Sequence, residues 1–100
     1  MKLNIKTPML GAQASALIYS TQKLFLDFSK GNTQISEADV RFIHGSSQVS
    51  DKTCEIYFKW NNRNMFVVQR AVSFETSFVK ALNKLKTQIN KIGLDKESLA

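Results

Sequence analysis

From Phe74 onward, apolar residues recur at Phe74, Phe78, Ala81, Leu82, Leu85, Ile89 and Ile92. Steps of three and four place them on one face of an α-helix. The spacing predicts a helix over 73–93. Ser73 is placed to cap its first turn, and Glu75 sits where the helix dipole favours negative charge. Gly93 suits a left-handed residue just past the end. A second stripe, Ala14, Leu17, Ile18, Thr21, Leu24, Phe25 and Phe28, predicts a helix over 13–29 that Gly31 and Asn32 end. Leu26 lies off that stripe, so this helix is more apolar than burial of one face requires.

Elsewhere the period is two. Residues 2–7 alternate, with Leu3 and Ile5 on one side, and Pro8 and Gly11 close the strand. Residues 35–43 set Ala38, Val40 and Phe42 against Asp39 and Arg41, with Ile43 breaking the polar side. Residues 53–60 point Cys54, Ile56, Phe58 and Trp60 one way and Glu55, Tyr57 and Lys59 the other. Residues 61–64, with three asparagines, predict a hairpin turn, because Asn tolerates left-handed backbone angles. Residues 65–72 form the last strand, rich in β-branched and aromatic side chains. Residues 44–52, small and polar, read as a mobile loop, and 94–100 as a short polar tail.

The element order is therefore β-α-β-β-β-α. A right-handed crossover makes the first two strands parallel. The next strands continue as an antiparallel meander. Both helices must bury an apolar face, and one sheet face accommodates both. The expected fold is α+β: two layers, a four-stranded mixed sheet with both helices packed on one face. A single domain over 1–93 is expected, without internal repeats.

Charge adds a functional hint. The chain has 14 basic and 8 acidic residues, a net charge of +6. A basic balance favours polyanionic partners. The placement says more than the total. Lys80, Lys84 and Lys91 lie opposite the apolar stripe of the last helix, Lys86 flanks them, and no acid occurs between Thr76 and Leu94. Solvated helix faces commonly mix signs, because Glu and Lys pairs four apart support helices. Lys23 on the first helix and Lys30 just beyond it extend the same layer.

Other chemistry is sparse. One cysteine, Cys54, and one histidine, His44, give neither a disulfide framework nor a structural zinc set. Cys54 alternates with core residues and reads as a buried, inert thiol. His44 has no nucleophile or acid placed beside it by spacing. Glu37 and Asp39 read as surface charges. Four scattered glycines build no phosphate loop. Tyr57 faces outward and could stack on a base; Phe58 and Trp60 belong to the core. No enzyme activity, cofactor or small-molecule substrate is expected. The N-terminal apolar stretch is interrupted by Pro8, Gly11, Gln13 and Ser15, so neither an export signal nor a membrane span is expected, and the expected location is cytoplasmic.

The residues then resemble a family. The run Asn83-Lys84-Leu85-Lys86-Thr87-Gln88-Ile89-Asn90-Lys91 is similar to the N-K-L-x-R-Q-L-x-K run of short ribosome hibernation-promoting factors, also described as ribosome-associated inhibitor or sigma-54 modulation proteins. Ser73-Phe74-Glu75 resembles the S-F-E start of that helix in some members. Lys2-Leu3-Asn4-Ile5 resembles the opening strand, and Ile35 with Ala38-Asp39-Val40 the second. The resemblance implies the β-α-β-β-β-α fold and a translation inhibitor active when ribosomes idle. It implies binding to the small ribosomal subunit and its ribosomal RNA, in the channel of messenger and transfer RNA, through basic residues of the exposed helix face. Lys84 and Lys91 match family basic positions; Lys80 and Lys86 extend the surface. The family arginine falls at Thr87, and the first helix offers fewer cations than the family's. The dimerisation domain of the long forms is absent, and a monomer is expected.

Two other readings compete. Without its first strand the order is α-β-β-β-α, as in double-stranded RNA-binding modules. Those carry a lysine cluster at the start of the last helix, where this chain has only Glu75 as a charge before Lys80. The apolar first helix, with Leu26, also suits a protein-interaction domain.

Overall fold

A computed structural model describes residues 1–45 and 51–98, and of 93–98 the backbone alone. Its elements are β1 (Lys2–Lys6), α1 (Gly11–Lys30), β2 (Ile35–His44), β3 (Lys52–Trp60), β4 (Arg63–Ala71) and α2 (Phe74–Ser98). The order matches the expected one. The four strands lie in the sheet order β1-β2-β3-β4, with β1 parallel to β2 and the rest antiparallel.

Period-two alternation sets which side chains face the helices. Ile35, Ala38, Val40 and Phe42 of β2, Cys54, Ile56, Phe58 and Trp60 of β3, and Val67 and Ala71 of β4 are buried on one sheet face. Leu17 and Phe25 of α1 and Phe74, Phe78, Ala81, Leu82, Leu85 and Ile89 of α2 meet them in one core. Phe42 packs edge-on against Phe74, ring centroids 5.4 Å apart, a favourable arrangement for aromatic quadrupoles. Among the described residues, the opposite sheet face carries no helix.

Several local expectations need correction. The β3–β4 turn is tighter than 61–64: Asn61 (φ 49°) and Asn62 (φ 64°) alone make it, and pairing resumes at Arg63 opposite Trp60. Two left-handed residues give the twist that antiparallel strands require. Gly93 does not end the last helix, whose backbone continues to Ser98; a helical glycine costs only about 1 kcal/mol. The tail expected from 94 is thus helical as far as Ser98, and 99–100 lie outside the described residues. At the end of α1, Gly31 keeps right-handed angles; its N–H donates to the carbonyl of Phe28, and the Asn32 N–H donates to that of Ser29. Leu24, expected in the core stripe, is 45% exposed, whereas off-stripe Leu26 is half-buried. The buried positions of α1 are Leu17, Thr21 and Phe25, four apart, so its inward face is narrower than the apolar stripe. His44 and Lys52 are strand ends, and 46–50 of the expected loop lie outside the described residues.

Candidate nucleic-acid interface

The start of α2 is fixed first. Ser73 Oγ accepts the Thr76 N–H at 3.2 Å, and the Ser73 carbonyl accepts the Ser77 N–H at 3.0 Å. The first bond satisfies a donor that the first turn otherwise leaves free, and the second is the first intrahelical bond. The apolar stripe then fixes the rotation of the helix about its axis. With Phe78, Ala81, Leu82, Leu85 and Ile89 against the sheet, Lys80, Lys84, Lys86 and Lys91 are all exposed. Asn83, Thr87 and Asn90 share that exposed side.

The lysines are not equivalent. Lys86 turns toward α1 and sets its ammonium 5.6 Å from the centre of the Phe28 ring, a cation–π contact that ties the two helices. Lys30 is two residues from Phe28, so it lies at the same end of the helical layer. Its ammonium is 3.6 Å from Asp27, with both side chains largely in solvent, so one carboxylate offsets its charge. Lys23 is exposed on α1. Lys80, Lys84 and Lys91 have no acidic partner among the described residues. Across 11–31 and 74–92 there are six lysines against Asp27 and Glu75, a net charge of 6 − 2 = +4.

The bare sheet face is electrostatically mixed. Arg41 pairs with Asp39 at 3.2 Å and Lys59 with Glu37 at 3.5 Å. A shallow depression of about 280 Å³ lies there, lined by Asn4, Glu37, Asp39, Tyr57, Lys59 and Asn64 among others. Its mixed charges select no sign of ligand, so the surface with the clear excess of one sign is the helical layer and not this concavity. Sequence reasoning put Tyr57 on this face but missed what it does there. Phe66, directly opposite on β4, packs on one side with centroids 4.6 Å apart, and the Arg41 guanidinium lies 5.1 Å from the ring centre. Alternation through Met65 and Val67 was the available signal for Phe66. With these two neighbours against it, Tyr57 is not a free stacking platform.

At the far end of β2 and β3, Lys52 donates to Asp51 Oδ1 at 2.9 Å and to His44 Nε2 at 2.7 Å. The Lys52 hydrogen bond holds the Asp51 carboxyl below its ordinary range against the effect of desolvation, helped by the charge of Lys52. Burial, and secondarily the Glu55 carboxylate, pushes the Cys54 thiol up to about 12. Neither group is arranged as a nucleophile with a base. Among the described residues no three His, Cys, Asp or Glu side chains converge as a metal site, and no helix is long and apolar enough to cross a membrane.

No protein-family model matches the chain, and no curated protein matches it in sequence. Among solved structures, a ribosomal subunit interface protein from Coxiella burnetii superposes with a TM-score of 0.73, covering 94% of this chain and 99% of that one at 14% identity. The two share a fold. The helical layer over one side of a four-stranded sheet is the architecture that the resemblance of the sequence implied. At that identity the likeness to the interface protein speaks for architecture and carries no residue-level assignment.

Proposed function

We propose that this protein is a ribosome-associated inhibitor of translation that binds small-subunit ribosomal RNA through its helical layer. The observation that carries the reading is the lysine face of α2, free of acidic residues between Thr76 and Leu94, on the fold of a ribosomal subunit interface protein. Lys80, Lys84 and Lys91 contact phosphates, Lys86 and Lys23 widen the positive surface, and Lys30 contributes less because Asp27 offsets it. Inhibition is steric. A body of 48 × 26 × 18 Å seated in the path of messenger and transfer RNA excludes both, with no bond made or broken.

Binding of this kind releases counterions, so it weakens as salt rises. With about four phosphate contacts, a fourfold rise in salt weakens binding on the order of 10²-fold. The test is sedimentation of the purified protein with small subunits and with intact ribosomes at low and high salt. The expected result is salt-sensitive co-sedimentation that the combined Lys80→Glu, Lys84→Glu and Lys91→Glu variant loses. Undiminished association of that variant, folded by circular dichroism, refutes the assignment of the face. Equal affinity for a plain RNA duplex favours a double-stranded RNA module instead.

A further inference from the structure

We propose that the β4 edge is a self-association surface, through which two copies join their sheets into one of eight strands. β4 pairs with β3 on one side only. Its register with β3 runs from Arg63 to Ala71 without a shift, and the segment has no proline. Among the described residues no other backbone segment bonds to its outer edge. Edge strands are ordinarily blunted by brevity, bulges, proline or central charges, and this one is nine residues long with arginines only near its ends. It also carries exposed apolar side chains: Phe66 at 43%, Val68 at 40% and, just beyond, Val72 at 70%. The other edge is unlike it. β1 has five residues, and Lys2 and Lys6 flank Asn4 on its outward side.

The occupant is a second copy because β4 is complementary to itself. An antiparallel pairing with Val67 on the two-fold axis sets Phe66 opposite Val68, Asn64 opposite Arg70, and Arg63 opposite Ala71. Apolar meets apolar on the bare face, and no cation faces a cation. The cross-strand row of Arg41, Tyr57 and Phe66, which ends at the edge in one molecule, continues onto the partner's β4. The two-fold runs perpendicular to the sheet, so both helical layers lie on one side and their lysine faces stay open. The dimer replaces the monomer expected from the sequence, and it does not depend on the ribosomal reading.

Each copy carries +6, so the copies repel through solvent and salt relieves the repulsion. The dimer therefore tightens as salt rises, opposite to RNA binding. The experiment is sedimentation velocity over a dilution series of nucleic-acid-free protein, at low and high salt. The expected result is a concentration-dependent dimer, stronger at high salt. Phe66→Asp and Val68→Lys each weaken it by at least about tenfold, and an equimolar mixture of the two restores it, because position 66 faces position 68 of the other copy. Val68→Lys leaves the Tyr57–Phe66 stack intact and carries the test alone if Phe66→Asp does not fold. A monomer at every concentration and salt overturns the proposal. So do variants that dimerise like the parent, or two monomeric variants whose mixture stays monomeric.

Discussion

Cys54 occupies a central strand with no solvent contact, and its thiol is held protonated up to about 12, against an ordinary 9.0. The folded state therefore binds the proton more tightly than the unfolded chain. Between those two values the unfolded thiol ionises and the folded one does not, so the group's contribution to stability falls as pH rises from 9. The slope from this residue approaches about 1.4 kcal/mol per pH unit within the window. Urea unfolding of the parent and of Cys54→Ala at pH 8 and pH 10 isolates it: the parent loses more stability than the variant across the interval. Ser73 acts at the same scale. Its hydroxyl accepts one N–H of the first turn of α2, so Ser73→Ala lowers stability by about 1 kcal/mol, read from the same unfolding curves.

Elements follow from such residues when one pattern dominates. In α2 the apolar stripe, the serine cap and the uninterrupted lysines all agree, and the inward and outward faces were legible from spacing alone. α1 was less so. Its apolar residues cover more of the circumference than the sheet can bury, and only packing selects Leu17, Thr21 and Phe25 over Leu24. The β3–β4 connection was legible in kind but not in length. Four polar residues fit a turn, yet two asparagines in left-handed geometry suffice and leave Arg63 and Asn64 to the ladder. A β-branched residue tolerates that geometry poorly, so Asn62→Val lowers the unfolding free energy by about 1–2 kcal/mol, while Asn62→Gly is tolerated. Thermal unfolding of the two variants checks the difference.

At the scale of the molecule, charge is set against compactness. The candidate site was legible as a list of lysines but not as a surface. The contact of Lys86 with Phe28 depends on how the two helices lie, which no local pattern encodes, whereas the pairing of Lys30 with Asp27, three residues apart on one helix, was readable from spacing and was missed. Reversing Lys80, Lys84 and Lys91 removes six charge units and brings the formal net charge to 6 − 6 = 0. Proteins near zero net charge associate readily, so that variant is less soluble at neutral pH than the corresponding triple glutamine variant, at 6 − 3 = +3. Light scattering at matched concentration measures the difference, and the glutamine variant is the better-behaved partner in ribosome sedimentation. The parallel pairing of β1 with β2 has a consequence of another kind, in time. Lys2 registers with Glu37, so the first strand to be synthesised has no partner until some thirty-five residues later. At about 5–20 residues per second, that is a wait of roughly 2–7 s. For those seconds Leu17 and Phe25 have no sheet to pack against, so burial can stabilise α1 only after β2 and the strands that follow it have been made.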